Sequence, residues 1–112
     1  MGIILAAADV CGVEPGLAIA LGMRESGLVW PEKLHEARGI YQVKDSTARG
    51  VSKTLNNRTV WGNAVAGLCY LRQLRDREGS WEAALLSYRE GPHRKATSRE
   101  AHAYVADIME GM

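Results

Sequence analysis

Glycine or proline interrupts this chain at short intervals, and most interruptions follow an apolar stretch with helical periodicity. The first stretch, residues 3–11, ends at Gly12, and Pro15 stands at a position where proline favours a helix start. This second helix is predicted to run to Ser26, with Gly27 in the position that commonly stops a helix. Two short helices are therefore expected at the start of the chain.

The later start and stop signals continue this pattern. Residues 31–44 have no convincing period and contain a short β-prone patch, so we expect a loop with a short strand or turn that lines a site. Four further helices are expected over residues 45–48, from 57–59 to 78, over 81–89, and from a Thr97–Glu100 capping box onward. The chain is thus predicted to be all-α, with about six helices and a cleft-lining loop.

The length and charge of the chain limit what it can do. Its 112 residues suit a single domain over residues 1–112, and a net charge of +1 provides no field to recruit nucleic acid or an anionic membrane. The stretch DVCGVEPGLAIALGMRES superficially fits a helix-turn-helix DNA-binding unit, but no basic recognition face accompanies it. The apolar start is too short to span a bilayer and lacks the features of a signal peptide. We therefore expect no nucleic-acid partner, no membrane insertion and no export signal.

The cysteines and histidines show no metal-binding spacing. Cys11 and Cys69 lie far apart, outside any C-x-x-C or Cys/His pattern, which favours two reduced, buried thiols. The three histidines, His35, His93 and His102, are equally scattered. We expect neither a metal nor another cofactor.

A carboxylate interrupts the second helix in the segment MRESG. At about 100° per residue, Glu25 lies on the same arc as the apolar residues Leu21 and Ala18, which places it on the packed side of the helix. Burial disfavours the charged form of a carboxyl group and raises its pKa, so the group can stay protonated near neutral pH. A general acid needs this property, and a glycosidic bond is a suitable target because its leaving oxygen must be protonated.

Four segments in order, ALGMRESGL, ARGIYQVKDSTARGV, VAGLCYLRQLRDREGSWEAALLSYREGP and REAHAYV, resemble the lytic transglycosylase domain. This family contains lysozyme-like enzymes that cleave peptidoglycan. The resemblance implies a small all-helical fold with Glu25 as the only catalytic carboxylate. It also implies that Glu25 protonates the oxygen between MurNAc and GlcNAc and then helps the MurNAc C6 hydroxyl to attack C1. The product would be a 1,6-anhydro sugar, formed without water or a cofactor.

The resemblance also implies substrate-binding residues. Ser26 matches the serine after the catalytic acid, and Gln42 matches the glutamine of a G-x-x-Q turn, whose amide suits sugar hydroxyl and acetamido groups. Tyr88 matches a tyrosine whose hydroxyl points at the catalytic acid. The backbone of the turn should border the cleft at Gly39 and Ile40, and Tyr41 is suited to stacking on a sugar.

Two departures from the family pattern keep other functions open. Arg89 replaces the usual asparagine, which suits a non-catalytic wall-binding domain that has lost activity. Glu32 and Glu36 precede the G-x-x-Q turn, where goose-type lysozymes use loop carboxylates to hold a hydrolytic water. An inverting hydrolase needs two carboxyl groups roughly 6.5 to 9.5 Å apart. We prefer the transglycosylase because loop glutamates beside other charges are usually just solvated.

The expected substrate lies outside the cytoplasm, and no signal peptide is visible. We therefore expect a phage enzyme, either a virion component that opens the wall or a lysin released through another protein's membrane lesion. A domain excised from a longer bacterial or tail protein would have the same sequence features. The expected partners are peptidoglycan strands and other virion or lysis proteins.

Overall fold

The structure is a computed structural model and describes residues 1–30, 37–91 and 98–112. Most of these residues lie in helices. Over these residues the all-α prediction is confirmed. The expected strand or turn is a small antiparallel hairpin whose two strands have two residues each. The elements are α1 (Gly2–Cys11), α2 (Pro15–Ser26), β1 (Ala37–Arg38), β2 (Val43–Lys44), α3 (Asp45–Val51), α4 (Val60–Glu78), α5 (Trp81–Glu90) and α6 (Arg99–Gly111).

Local capping explains most helix boundaries. The Glu14 carboxylate accepts hydrogen bonds from two backbone N–H groups at the start of α2, and Gly27 ends that helix with a φ of 71°. Such caps satisfy backbone groups that a helix end would otherwise leave unpaired. Among the described residues, no single helix is long and apolar enough to cross a membrane. Helices α1 and α2 reach the required length and apolar composition only when taken together, and the chain bends by 119° between them.

Three boundaries differ from the predicted positions by one to three residues. Helix α3 continues past Gly50 to Val51, because a glycine that needs no positive φ can continue a helix. Helix α5 extends one residue beyond the predicted end, to Glu90. The cap of α6 is Ser98, whose hydroxyl accepts from the Ala101 N–H, while the predicted cap, Thr97, lies outside the described residues.

Helix α4 is the centre of the core. Helices α1, α3 and α5 pack against it, and α2 packs against α6. The ring of Tyr41 lies directly beside Gly67 of α4, where a Cβ atom would come within 2.5 Å of the Tyr41 Cβ. Because interiors are close-packed, a glycine at this position lets the turn after β1 approach the helix.

The cysteines form a disulfide, so the prediction of two reduced thiols was wrong. Cys11 at the end of α1 is bonded to Cys69 in the middle of α4, with Cα atoms 4.7 Å apart. The packing of α1 along α4 brings together residues that are 58 positions apart in the chain. Sequence spacing contains no information about such a contact.

A buried amide holds the hairpin onto α4. The side chain of Asn63 accepts from the Tyr41 N–H at 3.1 Å and donates to the Arg38 carbonyl at 2.9 Å. It also donates to Asn57, whose own amide reaches the Val43 carbonyl. These bonds satisfy backbone groups on both strands, so Asn63 fixes the position of the turn that joins β1 and β2.

Candidate active site

A cleft of about 700 Å³ is lined by residues of α2, the hairpin and helices α3 to α6. This volume is within the range of about 300 to 1,000 Å³ that is common for ligand sites. The charged residues that line it are Arg24, Glu25, Lys44, Arg89 and Glu90. Its hydrogen-bonding side chains without charge are Gln42, Thr47, Tyr70, Tyr88 and Tyr104.

Glu25 lies in the last turn of α2, at the side of the cleft where α2 packs against α6. The hydroxyl of Tyr104 in α6 donates a hydrogen bond to Glu25 Oε2, with an O···O distance of 2.5 Å. Burial raises the pKa of the Tyr104 hydroxyl far above its ordinary value, so this group stays protonated and acts as a donor. The pairing gives Glu25 a fixed orientation in the cleft.

The pKa of Glu25 is raised above its ordinary value, and burial is the largest cause. Three groups oppose that rise by favouring the carboxylate: the Tyr104 hydroxyl, the Arg24 guanidinium and the Arg89 guanidinium. The net direction is upward despite two nearby cations. A carboxyl group in this environment is suited to donate a proton and later to accept one.

Two guanidinium groups lie over the ring of Tyr104. The central carbon of Arg24 is 5.3 Å from the ring centroid, and that of Arg89 is 5.5 Å away. Arg24 also pairs with Asp107 of α6 at 3.5 Å. These contacts connect α2, α5 and α6 around the tyrosine that holds Glu25.

The hydroxyl that is hydrogen-bonded to Glu25 belongs to Tyr104. The prediction that the Tyr88 hydroxyl would point at this carboxyl group was wrong. Tyr88 lines the cleft, but its hydroxyl donates to the Tyr41 carbonyl at 2.7 Å. Burial raises the pKa of Tyr88 well above its ordinary value, and the charge of Glu25 adds to the shift. Tyr88 thus lies near the carboxylate while its hydroxyl supports the turn.

Gln42 is the residue of the predicted G-x-x-Q turn that lines the cleft. Its backbone has a φ of 51°, an uncommon conformation for a residue other than glycine. Its side-chain nitrogen donates to the Gly39 carbonyl at 2.8 Å, which closes the turn. The carboxamide oxygen makes no hydrogen bond within the described residues and is available as an acceptor.

Four other predicted site residues do not contribute side chains to the cleft. Tyr41 is fully buried and its hydroxyl donates to the Ala18 carbonyl, so its ring cannot stack on a sugar there as predicted. Ser26 donates to the Gly22 carbonyl at 3.3 Å, one turn back in its own helix. The backbone at two residues of the turn was predicted to border the cleft, but both residues are buried and do not line it: Gly39 and Ile40.

The predicted second carboxylates, Glu32 and Glu36, lie outside the described residues, as do His35 and His93. Apart from Glu25, the only carboxylate that lines the cleft within the described ranges is Glu90. Its Oε1 accepts from the Ser98 hydroxyl at 2.8 Å. Over the same ranges, no group of three or more His, Cys, Asp or Glu side chains is arranged to hold a metal ion.

Sequence reasoning missed several residues of the cleft. Tyr104 lies on the predicted last helix, and its position in that helix gives no sign that its hydroxyl reaches a carboxylate. Tyr70 was not singled out, yet its ring lines the cleft and lies 5.7 Å from the Tyr88 ring. Tyr70 and Tyr88 are 18 positions apart in different helices, so no local sequence pattern identifies Tyr70 as a residue of the cleft.

Comparison with known proteins adds one positive finding. The family model described as the Transglycosylase SLT domain matches residues 2–107. This range includes all of α1 to α5 and most of α6, together with every residue that lines the cleft. No curated protein matches the chain significantly.

Proposed function

Because the chain belongs to the transglycosylase SLT family, whose members act on cell-wall peptidoglycan, we propose that Glu25 is its catalytic acid and base. The membership confirms the resemblance seen in the sequence motifs and the general activity, cleavage of peptidoglycan by a lytic transglycosylase.

The main support for this assignment is the environment of Glu25. It is a partly buried carboxyl group with a raised pKa, and it lies at the side of the cleft. General acid catalysis contributes about 10² to 10⁴ in rate and works best when the pKa of the acid is near the working pH. The Tyr104 hydrogen bond holds the group in one orientation, which such a transfer requires.

The reaction uses Glu25 twice. Protonated Glu25 first donates its proton to the oxygen that links MurNAc to GlcNAc, and the bond from that oxygen to C1 breaks. The resulting carboxylate then accepts the proton of the MurNAc C6 hydroxyl while O6 bonds to C1. The proton lost in the first step returns in the second, so no water is consumed and the product carries a 1,6-anhydro ring.

Other residues of the cleft would bind the sugar. Tyr70 and Tyr88 present aromatic rings along one side, and apolar faces of sugar rings pack well on such surfaces. The Gln42 carboxamide oxygen would accept from a hydroxyl or an acetamido N–H. The positive φ of Gln42 and its bond to Gly39 would keep that oxygen in place.

A hydrolase remains the second candidate, and the observation in its favour is the presence of Glu90 in the same cleft. A hydrolase of the inverting type uses a second carboxylate to activate water. Glu90 instead accepts from Ser98, which gives its carboxylate a structural role at the start of α6. The transglycosylase needs no such second group and is therefore preferred.

The test is the release of soluble muropeptides from purified peptidoglycan by the parent protein, Glu25→Gln and Glu90→Gln. We expect Glu25→Gln to lose about 10² to 10⁴ in rate, the usual contribution of a general acid. Glu90→Gln keeps the acceptor oxygen for Ser98 and is expected to retain most of the activity. Equal losses in both variants would instead favour the two-carboxylate hydrolase, and no release by the parent would favour a wall-binding domain.

The place of action follows from the substrate, because peptidoglycan lies outside the cytoplasm. The Cys11–Cys69 disulfide suits such a location, since disulfides persist mainly in oxidising compartments. We further propose a phage protein that acts with virion or lysis proteins. Detection in purified virions by mass spectrometry would support the virion role, and late accumulation in the cytosol without virion association would contradict it.

A further inference from the structure

Two cationic side chains of the cleft form no salt bridge among the described residues: Lys44 at the end of β2 and Arg89 near the end of α5. Both are exposed. The third cation of the cleft, Arg24, pairs with Asp107. Lys44 and Arg89 therefore present cationic N–H donors at the cleft that no salt bridge within the described ranges occupies, and the charge of Arg89 acts on the nearby Glu25.

Arg89 is held close to the reacting carboxyl group. Its guanidinium lies 5.5 Å from the centroid of the Tyr104 ring, and the hydroxyl of that ring donates to Glu25. A guanidinium stacked on an aromatic ring keeps its N–H groups at the edge available for hydrogen bonds. The contact thus positions a planar cation near Glu25, and its N–H groups remain available as hydrogen-bond donors.

The chemistry of a guanidinium selects its ligand. Its N–H groups match the two oxygens of a carboxylate, and the paired, charged hydrogen bonds are stronger than neutral ones. Peptidoglycan carries such groups on its muramic acid residues, either as the bare lactyl carboxylate or as carboxylates of the attached peptide. A glycan of N-acetylglucosamine alone carries none.

We propose that Arg89, together with Lys44, forms a carboxylate-binding subsite beside Glu25 that selects glycan strands whose muramic acid residues are negatively charged. This inference rests on the proposed function for its substrate class. It adds a determinant of specificity at an exposed residue of α5. A purely structural role for Arg89 would instead affect charged and neutral glycans alike.

Binding measurements test the subsite without depending on turnover. Glu25→Gln protein is titrated with soluble glycan strands in three forms: strands with bare lactyl carboxylates, strands with intact peptides, and the latter after conversion of every carboxylate to a neutral methylamide. The same titrations are made with Arg89→Gln, Arg89→Lys and Lys44→Gln in the Glu25→Gln background. Arg49→Gln is the matched control, because Arg49 is exposed on α3 and does not line the cleft.

We expect Arg89→Gln to weaken binding of carboxylate-bearing strands roughly tenfold, the usual size of a lost charged hydrogen bond, and Lys44→Gln to weaken it less. Arg89→Lys should retain part of the affinity, and Arg49→Gln all of it. Methylamide strands should bind the parent background and Arg89→Gln equally. The strand form that shows the larger effect of Arg89→Gln identifies the lactyl or the peptide carboxylate as the ligand.

Equal weakening for charged and methylamide strands, or no weakening for any strand, would overturn the proposal. Circular dichroism of each variant establishes that a loss is not caused by unfolding, which is not expected for exposed side chains. Failure of the subsite is distinguishable from failure of the proposed function. The former appears in these titrations, whereas the latter appears in the products released by the parent enzyme.

Discussion

The hydroxyl of Tyr104 donates a hydrogen bond to the carboxylate of Glu25, a residue 79 positions earlier in the chain. This contact depends on the packing of α6 against α2, since each helix supplies one partner. Burial raises the pKa of Glu25, and the hydrogen bond restrains that rise. The position of α6 therefore influences the pH at which Glu25 loses its proton.

Replacing Tyr104 by Phe should move the pH dependence of kcat/KM. In the proposed mechanism Glu25 donates its proton in the first step, so activity should fall as pH rises through the pKa of the free enzyme's acid. Without the hydroxyl, a group that favours the carboxylate is lost, and the pKa of Glu25 rises further. The alkaline limb of the profile should shift to higher pH, and the free energy of unfolding should fall by about 1 kcal/mol.

Tyr70→Phe is the matched control for that experiment. Tyr70 also lines the cleft, but no hydrogen bond connects its hydroxyl to Glu25. Its removal should leave the alkaline limb in place. A shift toward lower pH in Tyr104→Phe, or equal shifts in both variants, would show that Glu25 does not produce this limb.

Removing the disulfide should destabilise the fold strongly. The bond closes a loop with a sequence separation of 58, and a cross-link of this kind contributes about 2 to 4 kcal/mol by restricting the unfolded chain. The double variant Cys11→Ser, Cys69→Ser should lower the melting temperature by roughly 10 to 20 °C. Thermal denaturation followed by circular dichroism measures this change.

Reductant provides the control for the disulfide. Dithiothreitol should lower the melting temperature of the parent toward that of the double serine variant and should leave the variant unchanged. A parent protein whose melting temperature is the same with and without reductant would contradict a stabilising bond between α1 and α4.

Asn63→Ala should destabilise the protein and weaken substrate binding together. The change removes the partners of the Tyr41 N–H and the Arg38 carbonyl, and unsatisfied buried groups should cost about 2 to 3 kcal/mol in total. The turn that carries Gln42 would lose its attachment to α4, so KM should rise. Chemical denaturation and steady-state kinetics measure the two effects.

Asn56→Ala is the corresponding control in the same region. Asn56 is exposed, and among the residues that the structure describes its side chain accepts only from the Arg58 N–H. The loss should be less than about 1 kcal/mol because water can replace that bond, with KM unchanged. If Asn63→Ala behaved like Asn56→Ala, the buried amide would have no part in positioning the turn.

The helices were largely predictable from the sequence, because glycine stops and polar caps act locally. Gly12, Gly27 and Gly79 all adopt the positive φ expected of helix stops. Glu25 was also predictable as a residue on the packed side of its helix, since that inference needs only the helical period. These features depend on neighbours a few positions away.

The errors concern contacts between distant segments. The Cys11–Cys69 bond depends on how α1 lies along α4, which neither helix pattern specifies. Tyr41 is buried because Gly67 leaves room for its ring, and a motif in the turn cannot show what faces it. The wrong role predicted for Tyr88 has the same origin. Tyr88 in α5 and Tyr104 in α6 both lie near Glu25, and only the packing of the helices decides which hydroxyl reaches it.

The mass of the muropeptides that the parent protein releases from unmodified peptidoglycan tests the account most directly. Transglycosylation and hydrolysis yield products that differ by one water, because O6 of MurNAc replaces water as the nucleophile. We predict 1,6-anhydro termini from the parent and a loss of about 10² to 10⁴ in their rate of release by Glu25→Gln. Hydrated, reducing termini from the parent, or undiminished release by Glu25→Gln, would contradict a transglycosylase that uses Glu25 as its acid and base.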